Sequence, residues 1–290
     1  MRRKDVGERI RKNEMAGLLM DKYYKEGLSN EEIEDLKVLH TGYGGISDST
    51  QYFTPIEVVD YMIDTLKIFE FDGRKVLEPS SGSGIFVNNL LKNFSNLDIT
   101  SIELNYELYN LNKICYKEVN NINANTLEYF NDLDNAEKYD LIIGNPPYGK
   151  GLKNDNLPLS KGKLEAQFVE LSLNLLNPGG HLLMVVPTSI LSNSCYCNLR
   201  SRILKDFCLI QVVELPSSTF VKSNTSVSTS ILHLRKIKNK SDFNYDVYMA
   251  IADSIGWNNK GYKDKNDLIK INEGLKDFYS KHLEQFSYFF

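Results

Sequence analysis

The sequence predicts an α/β domain: a mostly parallel seven-stranded sheet with an antiparallel edge strand, helices on both faces, and further helices ahead of it. Three observations predict it. Short apolar runs alternate with amphipathic stretches from residue 54 to 235, a pattern that sets strands between crossover helices. Several runs are apolar throughout, as strands buried on both faces require. The last two runs are joined by only a short connection, which fits an antiparallel pair.

Residues 8–39 read as one or two polar helices, with Ser29 placed to cap a run that carries Glu32 three residues later. The glycine-rich stretch Thr41-Gly42-Tyr43-Gly44-Gly45 ends that pattern and opens a loop. A helix starts at Thr54 with Pro55 in its first turn and an apolar stripe of Val58, Val59, Met62, Ile63 and Leu66. Strands are predicted at 75–78, 98–104, 121–125, 139–144, 181–186, 209–215 and 227–235. Helices are predicted at 85–94, 105–118, 164–176 and 199–207, the third with Leu164, Phe168, Leu171 and Leu175 on one face. A turn, Asn177-Pro178-Gly179-Gly180, precedes the fifth strand. The chain divides into a helical N-terminal extension at 1–45, an α/β domain at 46–245 and a C-terminal appendage at 246–290.

At 290 residues the chain can bury a full core. Its hydrophobic content of 42% and charged content of 25% are ordinary for a soluble globular protein. Its apolar runs are far shorter than a membrane span. The basic start, Met1-Arg2-Arg3-Lys4, leads into a charged stretch rather than the apolar segment of a signal peptide. Cys115, Cys195, Cys197 and Cys208 lack the spacing of a disulfide framework, and the four His residues lack a metal-ligand pattern. No metal is expected, and a cytoplasmic location is. A net charge of −4 excludes general attraction to polyanions, so nucleic-acid binding would need locally concentrated Lys and Arg. Two stretches qualify. Residues 1–12 carry six basic side chains against two acids, and residues 149–163 carry Lys150, Lys153, Lys161 and Lys163 against Asp155 alone. Solvated segments would look the same, and both alternatives stand.

The first strand ends in Val76-Leu77-Glu78-Pro79-Ser80-Ser81-Gly82-Ser83-Gly84 and runs straight into a helix. In open α/β sheets, ligands bind outside the carboxyl ends of the strands. Gly82 and Gly84 would let the backbone approach a ligand closely, although a tight strand-to-helix turn uses the same residues. Glu103 ends the next strand, where a carboxylate can accept both hydroxyls of a ribose. Glu78 stands inside the glycine turn, where it would repel a pyrophosphate and welcome an amine. That sign favours S-adenosylmethionine, with its ammonium and sulfonium, over a nicotinamide dinucleotide.

The most informative stretch is Asp140-Leu141-Ile142-Ile143-Gly144-Asn145-Pro146-Pro147-Tyr148. Two prolines cut off a buried strand, fix its backbone and remove two N–H donors. The Asn145 side-chain oxygen and the Pro146 carbonyl can then accept the two hydrogens of an amino group and hold its lone pair in line with a methyl donor. Such catalysis works by positioning and electrostatics without a strong base. Tyr148 offers a face on which a flipped base stacks.

These segments resemble the adenine-N6 DNA methyltransferases of restriction–modification systems, in the gamma order of motifs. The resemblance spans about residues 40–240 and implies a Rossmann-like S-adenosylmethionine-dependent methyltransferase fold. Tyr52-Phe53-Thr54-Pro55 matches the family's Phe-Thr-Pro segment, which contacts the methionine end of the cofactor. Glu78 falls on the acid that binds the methionine amine, and Glu103 on the ribose-binding acid. The cofactor set implied is Phe53, Thr54, Pro55, Glu78, Pro79, Ser80, Gly82, Gly84, Glu103, Asn125 and Asn145. The catalytic set implied is Asn145, Pro146, Pro147, Tyr148 and Phe220. Phe220 falls on an aromatic that covers the other face of the extruded base, unless it is an ordinary core residue. Asn125 stands where the family usually has an aspartate contacting the cofactor adenine, and Thr126 where an aromatic is common.

The implied partner is DNA, with phosphate contacts from Lys150, Lys153, Lys161 and Lys163 on a segment expected to be mobile until DNA binds. Few residues follow the domain, so sequence recognition falls to a minimal reader, to a specificity or helicase/nuclease subunit, or to a larger system of which this chain is one piece. The Thr41–Gly45 loop weakly resembles segments of mobile-element methylases. Two rivals remain: a protein-glutamine N5-methyltransferase, whose substrate also presents an amide nitrogen, and a noncatalytic DNA- or partner-binding subunit. An N4-cytosine target differs little in chemistry.

Overall fold

The computed structural model describes residues 3–39, 54–220, 227–238, 244–258 and 262–289. The Thr41–Gly45 loop, Tyr52 and Phe53 lie outside the described residues. Helices α1 (Arg3–Glu26) and α2 (Asn30–Leu39) open the chain. They meet at the predicted capping box: Ser29 N–H donates to Glu32 Oε2 at 2.9 Å and Glu32 N–H to Ser29 Oγ at 3.2 Å. Ala16, Met20 and Leu36 fold these helices onto the main core.

After α3 (Ile56–Ile68) come β1 (Lys75–Glu78), α4 (Ile85–Asn93), β2 (Asp98–Glu103), α5 (Tyr106–Cys115), β3 (Asn120–Asn123), α6 (Thr126–Tyr129) and β4 (Tyr139–Gly144). Next are α7 (Leu164–Leu175), β5 (Leu176–Pro187), α8 (Ser189–Ser192), a 3-10 turn (Ser194–Tyr196), α9 (Cys197–Asp206), β6 (Phe207–Leu215) and β7 (Thr229–Lys236). The chain continues through β8 (Tyr248–Ile251), β9 (Ile255–Trp257), β10 (Lys263–Asn266), α10 (Asp267–Lys281) and α11 (Leu283–Phe289).

The main sheet runs β3-β2-β1-β4-β5-β7-β6-β8. Strands β1 to β5 pair in parallel, and β7 is antiparallel to both β5 and β6. The β6–β7 pair forms as the short connection implies, at one end of the sheet. Among the described residues the sheet has eight strands, where the sequence predicts seven. Tyr248–Ile251 pairs with Gln211–Glu214 of β6 and forms the outermost strand. Only four residues long and apolar throughout, it exposes Met249 and Ile251 while Tyr248 and Ala250 pack on the core, so the sequence shows no polar–apolar alternation to recognise.

Alternation along the inner strands divides the core between the two faces. Leu141, Ile143, Leu183 and Val185 face α3, α4 and α5 in one cluster, while Ile142, Leu182, Met184 and Val186 face α7 and α9 in the other. The predicted turn at 177–180 is an excursion within β5: Leu176 pairs with Tyr139 and His181 with Leu141, so four residues bulge between them. The C-terminal segment packs against this frame. α10 lies on α3, and Leu275 and Phe286 join Phe69, Cys208 and Ile210 in a third cluster.

Candidate active site

The parallel strands bring the chemistry-bearing residues together at the carboxyl ends of β1, β2 and β4. A cavity of about 900 Å³ opens there, lined by Pro79, Ser80, Gly82, Glu103, Asn125, Asn145, Pro146 and Pro147 among others. Sequence reasoning placed all eight in the site.

Glu103 is 9% exposed at the end of β2. Its Oε2 accepts the Gly82 N–H and its Oε1 the Asn105 N–H, both at 2.7 Å. Burial raises its pKa against the pull of these amides. The Leu104 N–H also bonds this carboxylate, which leaves part of its acceptor capacity for a ligand hydroxyl. Glu78 is 1% exposed, and its Oε2 has no hydrogen-bond partner among the described residues. Burial, and then the Glu103 carboxylate, hold its pKa well above the ordinary range. A buried acceptor without a donor costs free energy, and two carboxylates side by side repel anions. Glu78 is absent from the cavity lining, so Glu103 is the carboxylate that faces a ligand there, and it suits hydroxyls rather than a phosphate.

Gly84 serves a different purpose from the one expected. Its φ is +75°, and a Cβ there would lie 2.5 Å from the Tyr116 ring and 2.6 Å from Asn112 Oδ1. Its bareness lets α5 pack under the turn, and Gly84 is absent from the cavity lining. Asn112 donates from Nδ2 to Ser81 Oγ and to the Gly82 carbonyl, both at 3.1 Å, and so fixes the turn from below. Asn112 carries no sequence signal, because its role depends on a neighbour thirty residues away.

Asn125 caps α6: its Oδ1 accepts from Leu127 N–H and its Nδ2 donates to Glu128, both at 3.1 Å. Thr126, where an aromatic was expected, donates from Oγ1 to the Pro79 carbonyl at 2.5 Å and ties the two ligand-facing loops together.

Asn145 closes β4, half-buried, with its side chain held at both ends. Its Nδ2 donates to Thr54 Oγ1 at 3.2 Å, and its Oδ1 accepts the Tyr148 hydroxyl at 2.5 Å. The amide orientation is thereby set, with Nδ2 toward Thr54 and Oδ1 toward Tyr148. Thr54 thus braces the Asn145 corner, and it is absent from the cavity lining, where contact with the cofactor was expected. Pro55 precedes α3 as its N-cap.

Phe220 is where the structure departs most from expectation. It is 2% exposed and packs in the main core cluster that also holds Ile255 and Trp257, away from the cavity. The C-terminal segment covers it, with Trp257 Nε1 donating to the Ser218 carbonyl at 3.1 Å.

Lys150 and Lys153 line the cavity, and Lys153 pairs with Asp155 at 2.9 Å. Lys161 and Lys163 are exposed outside it. The segment expected to be mobile is tied to α7. Gly149 N–H donates to Glu165 at 2.8 Å, Gln167 Nε2 donates to the Leu152 carbonyl at 2.5 Å, and Glu170 accepts from Leu159 and Ser160 N–H at 3.1 and 2.9 Å. Among the described residues there is no cluster of metal-ligating side chains and no helix long and apolar enough to cross a membrane.

The family model described as N-6 DNA Methylase matches residues 45–285. Among curated proteins, the chain is similar to the Defense against restriction protein B of Escherichia phage P1. The two are 26% identical over 235 residues, 79% of this chain and 10% of that protein. Type II methyltransferase M.CvrRI of Paramecium bursaria Chlorella virus XZ-6E is 27% identical over 194 residues, 65% of this chain and 49% of that one. The chain therefore spans half or less of the length of these relatives. Among solved structures, one from Listeria monocytogenes, assigned to the class I S-adenosylmethionine-dependent methyltransferases, matches with a TM-score of 0.68 at 17% identity, covering 92% of this chain and 90% of that one. The type I restriction-modification system methyltransferase subunit of Streptococcus thermophilus matches with a TM-score of 0.66 at 21% identity, covering 86% and 56%. Both share the fold described above.

Proposed function

The chain belongs to the N-6 DNA methylase family, and on that ground we propose that it transfers a methyl group from S-adenosylmethionine to the N6 amino group of an adenine turned out of DNA. One observation carries the proposal: the oriented Asn145 amide and the Glu103 carboxylate border the same cavity. S-adenosylmethionine, when bound, supplies an electrophilic methyl group on a sulfonium. Glu78 would hold its ammonium, Glu103 its ribose hydroxyls, and Asn125 and the loop after β4 its adenine.

At the other side of the cavity, Asn145 Oδ1 and the Pro146 carbonyl accept the two hydrogens of the target amine. The nitrogen lone pair then points toward the methyl group, and its surplus proton leaves to solvent once the new bond has formed. Two acceptors fixed before the base arrives cost no reorganisation during reaction. The Tyr148 ring stacks on the extruded base. Lys150, Lys153, Lys161 and Lys163 contact phosphates. The relatives' greater length supports a division of labour in which further polypeptide, or a specificity or helicase/nuclease subunit, reads the DNA sequence in the cytoplasm.

The test is to incubate the chain with labelled S-adenosylmethionine and unmethylated DNA, alone and with candidate subunits, and to identify the modified nucleoside. N6-methyladenine is the expected product. Label in N4-methylcytosine, or in a release-factor peptide instead of DNA, would replace the adenine assignment. Cofactor binding without transfer to any of these would mark a noncatalytic subunit.

A further inference from the structure

We propose that Glu165 is a positioning residue that latches the Asn145 corner to α7 and, through Tyr196, to the turn ahead of α9. The inference rests on the methyl-transfer function proposed above and names a residue which that function leaves unassigned.

Pro146 and Pro147 have no N–H, so the corner cannot be anchored by backbone donors at those positions. Gly149, one residue beyond the corner, supplies the anchor. Its N–H donates to Glu165 Oε2 at 2.8 Å, and its carbonyl accepts the Leu164 N–H at 2.9 Å. Its φ of +127° lies where side chains other than hydrogen are strained. The other carboxylate oxygen, Oε1, accepts the Tyr196 hydroxyl at 2.6 Å. Glu165 and Tyr196 are 5% and 4% exposed.

A buried carboxylate is stable only when its oxygens are satisfied, and here each receives a short bond. Glu165 also lies in the first turn of α7, where the helix dipole favours an anion. Burial, and then the bond to Glu165, push the Tyr196 hydroxyl up and keep it a donor. The chain of contacts runs from Tyr196 through Glu165 to Gly149. Its covalent neighbour Tyr148 holds Asn145 Oδ1. Glu165 is not among the cavity-lining residues, so its loss displaces the amine-gripping oxygens without removing a cofactor contact.

The full chain is compared with Glu165→Ala, Glu165→Gln and Tyr196→Phe in two assays. In methyl transfer, Glu165→Ala should lower kcat about 10²-fold, the size of effect expected from a small displacement of reacting groups, with cofactor Kd near wild type. Glu165→Gln should recover most of that loss, since its oxygen can accept from Gly149 while its NH2 donates to Tyr196. Tyr196→Phe should fall between them. In NMR, the Gly149 amide and the Asn145 side-chain NH2 resonances should both move in Glu165→Ala and return toward wild type in Glu165→Gln. A lowered melting temperature with unchanged kcat and unmoved Asn145 resonances would overturn the proposal. A wild-type chain that transfers nothing even with candidate subunits added, yet shows the NMR coupling, would refute the proposed function and leave the latch standing.

Discussion

At Glu78, burial and the neighbouring Glu103 favour the protonated carboxyl in the ligand-free protein. A group whose folded pKa is raised adds stability below its unfolded value, near 4.5, and that contribution is lost as pH rises through the folded value. Glu78→Gln should therefore raise the melting temperature of the ligand-free protein at pH 7 and change it little at pH 4. The same substitution should weaken S-adenosylmethionine binding about 10–100-fold, the worth of a charge-assisted hydrogen bond. Thermal melts at the two pH values and a cofactor titration check both halves. A second expectation concerns Tyr148. Tyr148→Phe keeps the stacking face but removes the hydroxyl bonded to Asn145 Oδ1, so methyl transfer should slow about 3–10-fold, whereas Tyr148→Ala should also weaken DNA binding by about 1–3 kcal/mol; steady-state rates and DNA titrations separate the two. Glu103 and Asn145 were legible in the sequence because each stands at the end of a recognisable strand, where topology alone delivers it to the cavity, whereas Glu78, also at a strand end, is buried outside the cavity lining. Gly84 and Phe220 were not. The first is set by Tyr116 and Asn112, the second by the C-terminal segment, and no local pattern announces either partner.

The element that departs most from its sequence pattern is α7. Its apolar stripe predicts one buried face and one wet face, yet Glu165, Gln167 and Glu170 on the polar side are buried as well. The segment after β4 folds over that face and gives its backbone donors and carbonyls to those three side chains. The pattern was ambiguous for a physical reason: polar residues that face water and polar residues that anchor a loop look alike until the loop's path is known. Glu170 is the cleanest probe, being 1% exposed and bonded to two backbone amides. Glu170→Ala should destabilise the protein by about 1–3 kcal/mol through the donors left unpaired and raise hydrogen exchange at Leu159 and Ser160. Unchanged exchange at those amides would mean that the loop is held by other contacts.

Across the whole molecule, the strand order places two strand-end residues, Glu103 and Asn145, at one cavity with Glu78 buried at the end of the strand between them, and most of that order follows from right-handed crossovers read off the alternation. Residues 246–290 are the part the sequence concealed, because their strands are only three or four residues long and β10, which leads straight into α10, carries no apolar side chain. In the structure, β8 pairs with β6, Leu275 and Phe286 cover Phe69 and Ile210, and Trp257 and Ile255 pack in the main core with Phe220. Large apolar side chains are worth roughly 1.5–3 kcal/mol each when buried, against a total stability of about 5–15 kcal/mol. Truncation before residue 246 should therefore abolish cooperative unfolding in denaturant. A truncated chain with a sharp, wild-type transition would show that this segment is dispensable to the fold.

The account turns on the oxygens of Asn145 and Pro146 as the grip on the target amine. The most direct test is single-turnover methyl transfer to DNA by Asn145→Ala, with cofactor affinity measured on the same preparation. Transfer should slow by about 10²–10³-fold, as when one preorganised hydrogen-bonding group is removed from an active site, and by far more than cofactor affinity falls. Transfer at the wild-type rate would contradict the account.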